Sequence, residues 1–204
     1  MILPIIAYGN PVLKKKCQEI PKDYKRLDEL ISNMWETMYA SSGVGLAAPQ
    51  IGLSIRIFIV DTSPFSDDTK LGINERNKLS DFKKVFINPE LIAVSNEFNT
   101  FNEGCLSIPD VREDVVRENE IFIKYYDENF IKNELKLDGL RARVVQHEFD
   151  HIQGVLFTDK LSAFKKKLIK GKLNNISKGK VKSDYLMSFY KKWKKLLIFV
   201  QLTL

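Results

Sequence analysis

The chain has 204 residues, of which 44% are hydrophobic, and a formal net charge of +6. This length suits one domain with an appendage, and the hydrophobic content is enough for a core. The residues after Met1 lack the pattern of a secretory signal, and the apolar run Leu196 to Leu204 is far shorter than the about 20 residues of a membrane-spanning helix. We therefore expect a cytoplasmic protein whose two cysteines are reduced and which has no transmembrane segment.

Charge is divided unevenly along the chain. Residues 160–204 hold 13 of the 32 basic residues and only one of the 26 acidic ones, Asp184, which gives this segment a net charge of +12. Residues 1–159 carry the remaining 19 basic and 25 acidic residues, a net charge of −6. This division indicates a catalytic body attached to a segment that binds something polyanionic. We expect a catalytic domain over 1–161 and a basic helical extension over 162–204.

The predicted elements begin with a helix over 27–40, where apolar residues recur at helical spacing until Ser41-Ser42-Gly43. The β-branched alternation of 55–61 predicts a strand, and the polar stretch 62–82 predicts a surface excursion. Further short strands are predicted at 86–87, 91–94, 121–126 and 131–137, with Asp127-Glu128-Asn129 as a hairpin turn.

A second helix is predicted over 139–153, with Asp138 as its N-cap and Gly154 as its end. Apolar residues lie on almost every side of it, which is typical of a buried helix. His147 and His151 share one face of this helix, so we expect both imidazoles to lie inside the domain.

The chain has only two histidines, and they flank Glu148 in a His-Glu-x-x-His pattern formed by His147 and His151. Residues i and i+4 of a helix lie on one face, one turn apart. Two imidazoles in this arrangement can bind one metal ion, with the glutamate beside them to handle a proton. The alternative is a pair of helix histidines without a ligand.

A metal site needs a third protein ligand, and a catalytic site also needs an open position for water. Downstream of His151 the chain offers aspartates and lysines but no further His or Glu, so this ligand must come from upstream or from an aspartate. Cys105 suits the role because a thiolate binds borderline divalent ions well, and Gly104 lets the backbone approach closely. Cys105 could instead be a small buried residue, and Cys17 is expected to be inert.

Three segments resemble the signature motifs of the peptide deformylase family. They are Gly43 to Gln50 (GVGLAAPQ), Glu103 to Ser107 (EGCLS) and Gln146 to Gly154 (QHEFDHIQG), and they occur in the family's order. The similarity runs from about Ile5 to Leu161. The resemblance implies hydrolysis that releases formate from the formyl-methionine of newly made proteins. It also implies an α+β fold, with antiparallel strands packed around a buried metal-binding helix and a C-terminal helix.

The resemblance implies a role for each matching residue. Cys105, His147 and His151 would hold the metal, with water as the fourth ligand. Metal binding would lower the pKa of that water, and Glu148 would take its proton and pass it to the leaving amine.

The resemblance also implies how the substrate is held. Gln50 and the backbone N–H of Leu106 would stabilise the negative charge that develops on the formyl oxygen. Val44 and Gly45 would pair with the peptide backbone. Helix periodicity places several further residues near the methionine side chain, and the stem of an arginine among them could cover that pocket. The substrate-binding set is predicted to be Val44, Gly45, Gly104, Leu140, Arg143 and Val144.

The predicted cofactor is one divalent metal ion per chain. The resemblance favours Fe2+, with Zn2+, Ni2+ or Co2+ as substitutes, because a Cys-His-His donor set suits several of these ions. An iron-bound thiolate predicts sensitivity to oxygen.

The predicted partners are formyl-Met nascent polypeptides and the ribosome, with no DNA partner. Related bacterial enzymes dock on the ribosome through a C-terminal helix, so the basic segment is expected to do the same here. The alternative is that its lysines form a solvated helix face. The apolar run 196–200 could be a membrane-surface patch, a dimer contact or a disordered end.

Two other functions fit part of the sequence. A zinc endopeptidase would need a third ligand downstream of His151, where the chain has no His or Glu. A ribosome- or RNA-binding protein with a structural metal would need four protein ligands, and no second cysteine or third histidine is placed to complete such a site.

Overall fold

The structure, a computed structural model, describes residues 1–190. The predictions for the lysine cluster 191–195 and for the apolar run 196–200 fall outside the described residues. No helix within residues 1–190 has both the length and the apolar character needed to span a bilayer.

The described chain contains four α-helices and nine strands, and five of the strands follow one another directly between α2 and α3. The helices are α1 (Leu27–Ala40), α2 (Ile73–Ser80), α3 (Gly139–Ile152) and α4 (Ala163–Ser177). The strands are β1 (Ile5–Ile6), β2 (Gly45–Ala47), β3 (Ile57–Asp61), β4 (Lys83–Val94), β5 (Phe98–Cys105), β6 (Ile108–Glu118), β7 (Glu120–Tyr126), β8 (Lys132–Asp138) and β9 (Met187–Ser188).

Most strands belong to one antiparallel sheet with the order β2-β3-β4-β7-β8. β5 and β6 form a separate antiparallel hairpin. β1 and β9 pair in parallel, so the two ends of the described chain meet in a short two-stranded sheet. The α+β class with antiparallel strands around a buried helix is confirmed, as is a C-terminal helix, α4.

The interior strand β3 shows why the sheet holds a helix on each face. All five of its residues are buried, and successive side chains of a strand point to opposite faces. Phe58 and Val60 belong to the cluster that contains residues of α3, whereas Ile57 and Ile59 belong to the cluster that contains residues of α1. A strand covered on both faces is apolar along its length, and β3 is apolar except for Asp61 at its end.

Several element predictions differ from the structure in ways that have a physical cause. The strands predicted at 86–87 and 91–94 are parts of one strand, β4, whose pairing with β7 is interrupted by shifts of register. The stretch 62–82 contains a helix, α2, that has a weak apolar pattern. Asp138 stands at the N-cap of α3 but makes no capping hydrogen bond, because its carboxylate pairs with Lys78 and Arg141.

The β5–β6 hairpin was absent from the predicted elements. Its inner face is not purely apolar, because Glu103 and Arg117 are buried on it beside Val111 and Val115. Charged residues at inward positions hide the alternation that reveals a strand.

Within residues 162–190, the basic segment is helical over Ala163–Ser177. The chain then turns at Gly179, which has a φ of +70° that glycine adopts without strain, and returns to pair β9 with β1. Helix α4 packs on the body through Ile169 and Ile176, both buried. The division into 1–161 and 162–204 stays a prediction.

Candidate metal centre and active site

The fold brings together the three side chains that were predicted to bind a metal. Cys105 is the last residue of β5, and His147 and His151 lie one turn apart on α3. One ligand atom from each residue lies within 4.8 Å of the other two, and the Sγ of Cys105 is 3.3 Å from the Nε2 of His151. Cys17, by contrast, is buried in the core, where burial raises its thiol pKa to about 11 and so keeps the thiol unreactive.

The protonation of His151 suits a metal ligand. His151 is 1% exposed, and its Nδ1 is buried without a hydrogen-bond partner within residues 1–190. Burial and the neighbouring His147 lower the pKa of His151 well below its ordinary value, so the ring is neutral, as a metal ligand must be. A thiol and two imidazoles in this arrangement fit one divalent ion.

Glu103 controls the orientation of His147. Its Oε2 lies 2.9 Å from the Nδ1 of His147, which leaves the Nε2 of that ring free to bind a metal. Burial alone would raise the pKa of Glu103, but hydrogen bonds from Arg117 and His147 outweigh it and hold the pKa well below its ordinary value. The carboxylate is therefore ionised and accepts the Nδ1–H of His147.

A buried network of charges supports Glu103. Arg117 donates to both of its oxygens, at 2.7 and 2.9 Å, and also to Asp150 on α3 at 2.6 Å. Arg143 donates to Glu103 at 2.8 Å and to the backbone carbonyls of Val115 and Asn99 at 3.1 and 2.9 Å. Arg143 borders the cleft, and its guanidinium is held by these hydrogen bonds.

Glu148 lies close to β2. It is 4% exposed, burial raises its pKa to about 7, and its Oε2 has no hydrogen-bond partner among the described residues. A Cβ atom at Gly45 would stand 2.4 Å from its Oε1, so only glycine lets β2 approach the carboxylate this closely. A carboxyl group whose pKa is near neutrality can both accept and return a proton.

Gln50 faces the turn that follows Cys105. It lies in a 3-10 turn, Ala48–Ile51, and its Oε1 accepts a hydrogen bond from the N–H of Ala47 at 2.8 Å. Its Nε2 is thereby directed toward the Sγ of Cys105 at 3.6 Å and the hydroxyl of Ser107 at 3.5 Å. Gln50 therefore presents an amide N–H beside Cys105, one of the three residues that could bind a metal.

Gln50, Cys105, His147 and Glu148 line a cleft of about 640 Å³. Among the predicted substrate-binding residues, Val44, Gly45, Gly104, Arg143 and Val144 border it. Leu140 does not border it: on the same face of α3 it stands seven residues before His147, which is about 10 Å along the helix axis.

Two functional neighbours escaped the sequence analysis. Arg117 shares its inward position on β6 with Val111 and Val115, and a charge at such a position could have marked it as a partner of a buried carboxylate. The other is the returning C-terminal segment, because Lys182, Ser183, Asp184 and Tyr185 line the cleft. No local pattern in the sequence indicates this return.

The comparisons with known proteins agree with the geometry. The family model described as polypeptide deformylase matches residues 2–167. The chain is 60% identical to the peptide deformylase of Christiangramia forsetii over 189 residues, which is 93% of this chain and 96% of the relative. It is 58% identical to that of Flavobacterium psychrophilum over 192 residues, 94% of this chain and 99% of the relative.

Solved structures are similar as well. The crystal structure of a peptide deformylase from Legionella pneumophila matches with a TM-score of 0.73 at 33% identity, covering 87% of this chain and 96% of that one. A peptide deformylase from Plasmodium falciparum matches with a TM-score of 0.74 at 33% identity, covering 86% and 95%. The chain therefore belongs to the polypeptide deformylase family, the metal-dependent hydrolases that remove the formyl group from the N-terminal methionine of new proteins.

Proposed function

We propose that Cys105, His147 and His151 hold the metal ion of this enzyme and that Glu148 is its general base and acid. The observation that carries the proposal is the position of Glu148: a buried carboxyl group with one unpartnered oxygen, next in sequence to one ligand and three residues before another. The unpartnered oxygen of Glu148 needs a hydrogen-bond donor, and a water molecule in the cleft would be one.

The chemistry divides between the ion and the side chains. A bound metal ion would lower the pKa of a coordinated water and polarise the formyl carbonyl. Glu148 takes the proton of the attacking water as the new C–O bond forms. It then delivers that proton to the amide nitrogen as the C–N bond breaks, so the products are formate and a free methionine amine.

Gln50 and Leu106 are placed to stabilise the negative charge that forms on the formyl oxygen. The amide of Gln50 is already oriented by Ala47, so it need not reorganise during the reaction. Leu106 follows Cys105 directly, and its backbone N–H belongs to the same turn. Removing one such donor typically costs about 2.7–4 kcal/mol of transition-state stabilisation.

The substrate peptide is proposed to add to the free edge of β2. That strand stands at one end of the five-stranded sheet, so one of its edges has no partner strand within residues 1–190. Val44 and Gly45 lie at this edge and also border the cleft, which supports pairing with an extended peptide. Val144 and the aliphatic stem of Arg143 would contact the methionine side chain. Gly104, which has no side chain, would let the substrate lie close to the backbone of β5.

The test of the catalytic proposal is formate release from a short formyl-Met peptide by metal-loaded enzyme. Glu148→Gln keeps the shape of the side chain but removes its basicity, so we expect kcat to fall about 100- to 10,000-fold while metal content is retained. Glu128→Gln, at the exposed β7–β8 turn, is the matched control and should keep full activity. A fully metallated Glu148→Gln enzyme that turns over at the normal rate would contradict the proposal.

We propose Fe2+ as the native ion, with Zn2+, Ni2+ or Co2+ as substitutes. The thiolate and two imidazoles suit each of these ions, and an iron-bound thiolate would oxidise in air. Enzyme purified without oxygen should contain iron and lose activity on exposure to air, whereas the nickel-loaded enzyme should not. Iron-free enzyme of full activity from anaerobic cells would contradict this assignment.

We further propose that α4 docks the enzyme on the ribosome and that the enzyme therefore works in the cytoplasm, where nascent formyl-Met chains emerge. Lys167, Lys170 and Lys172 of α4 are exposed. Phe164 and Leu168 stand beside them with 70% and 64% of their surface exposed. Exposed apolar side chains surrounded by cations suit a polyanionic partner that also offers apolar contacts.

Lysine replacement is a cleaner test of docking than deletion of the segment, because the returning chain lines the cleft. Changing Lys167, Lys170 and Lys172 to Glu should weaken co-sedimentation with ribosomes about tenfold or more, with a steep salt dependence. The charge-matched control changes the exposed residues Lys15, Lys16 and Lys22 to Glu. Equal ribosome binding by the two triple variants would contradict docking through α4.

A further inference from the structure

The end of the described chain returns to the catalytic centre. After α4 ends at Ser177, the segment 178–188 crosses the body and joins the first strand. The N–H of Ile5 donates to the carbonyl of Leu186 at 2.8 Å, and the N–H of Ala7 donates to the carbonyl of Ser188 at 2.9 Å. This backbone pairing fixes the position of Tyr185, which directly precedes it.

Residues near the two ends of the described chain bind the turn that follows Cys105. Leu106 and Ser107 form the two-residue turn between β5 and β6. The hydroxyl of Tyr185 donates to the carbonyl of Leu106 at 2.7 Å, and the N–H of Tyr8 donates to the carbonyl of Ser107 at 2.8 Å. Both carbonyls of the turn are therefore bound by groups outside the hairpin.

Tyr185 is well suited to this contact. Its ring packs against the core cluster that contains Met38 of α1, as does the side chain of Leu106. Burial raises the pKa of Tyr185 to about 12, which keeps its hydroxyl protonated and able to donate at any physiological pH. Tyr185 also borders the cleft.

We propose that Tyr185 is a positioning residue for the reaction: by holding the Leu106 carbonyl, it fixes the turn from which Leu106 directs its N–H at the formyl oxygen. The inference rests on the proposed function, in which that N–H is a donor to the oxyanion. The two residues of this turn lie outside the strand pairing, and donors to an oxyanion act through geometry that is set before the reaction begins. Loss of the hydrogen bond from Tyr185 to Leu106 should therefore weaken transition-state binding more than substrate binding.

The experiment compares Tyr185→Phe with the wild type, both as full chains loaded with the same divalent metal. The substitution removes one hydroxyl and keeps the ring. We expect kcat for a short formyl-Met peptide to fall about three- to tenfold, the worth of one hydrogen bond, while KM changes less than about twofold. Tyr125→Phe, a buried tyrosine of β7 that does not border the cleft, is the matched control and should keep kcat.

A second measurement separates positioning from general loss of stability. Amide hydrogen exchange, followed in metal-free and in metal-loaded chains, should be faster around residues 105–107 in Tyr185→Phe and unchanged in α3 and the five-stranded sheet. Because the metal-free chain is included, this readout does not depend on catalysis.

Three results would overturn the inference: an unchanged kcat, a kcat that falls only in proportion to metal content, or unchanged exchange at the turn. The proposed function fails differently. If Glu148→Gln retained turnover, the catalytic assignment itself would be wrong whatever Tyr185→Phe did.

Discussion

The five-stranded sheet and the β5–β6 hairpin both bury an inner face, but with different chemistry. In the sheet, Phe58 stacks on Phe86 with ring centroids 4.7 Å apart, and both side chains are fully buried. The hairpin buries Glu103 and Arg117 on its inner face. Apolar packing is non-directional and supplies stability, whereas charged hydrogen bonds have fixed geometry and orient a ligand. The comparison suggests that the sheet holds the fold and the hairpin aims the metal-binding side chains.

Phe58→Ala should lower the stability of the protein and leave its metal affinity nearly unchanged. Removing a fully buried aromatic side chain from the core typically lowers the free energy of unfolding by about 3–5 kcal/mol. Urea unfolding followed by circular dichroism measures this loss. The protein that stays folded should bind metal with nearly normal affinity, because Phe58 packs in an apolar cluster that includes none of the proposed ligands. A loss of metal affinity comparable to that in a hairpin variant would erase the distinction between the two regions.

Glu103→Gln, in the hairpin, should weaken metal binding. The neutral amide no longer balances Arg117 and Arg143, and it is a poorer acceptor for the Nδ1–H of His147. Loss of such an outer partner of a metal-binding histidine typically weakens metal affinity about 10- to 100-fold, which competition with a chelator measures. Glu134→Gln removes an exposed carboxylate that pairs with Lys124 at 3.3 Å and is the control, with normal affinity expected. Metal affinity equal to that of the control would mean that Glu103 does not orient His147.

Gly45→Ala tests a residue that belongs to the sheet yet lies against the carboxyl group of Glu148, the proposed general base. The added Cβ would lie 2.4 Å from the Oε1 of Glu148, so the carboxylate or β2 must move. Overpacking of this kind typically costs about 1–3 kcal/mol, and we expect kcat to fall about tenfold or more with metal content unchanged. Gly72→Ala, where a Cβ would meet nothing within 4 Å, is the control. Normal turnover by Gly45→Ala would show that Glu148 tolerates displacement.

The elements that the sequence predicted well are those whose signal is local. The helix around His147 and His151 follows from apolar periodicity over residues 139–153, and the four-residue spacing alone places both imidazoles on one face. The strand β3 is legible because both of its faces are covered by apolar partners. The α2 helix and the hairpin were missed because their residues are polar or carry charges at inward positions.

The sequence alone shows which chemical groups are available: two imidazoles one helical turn apart, a carboxyl group between them and few other candidate ligands, of which Cys105 is one. Only the tertiary structure decided how these groups are aimed. Glu103 selects the metal-binding nitrogen of His147, and Tyr185 holds the turn after Cys105 from the far end of the chain. Such contacts join residues that are distant in sequence, and their geometry depends on how the strands and helices pack, so no local pattern encodes them.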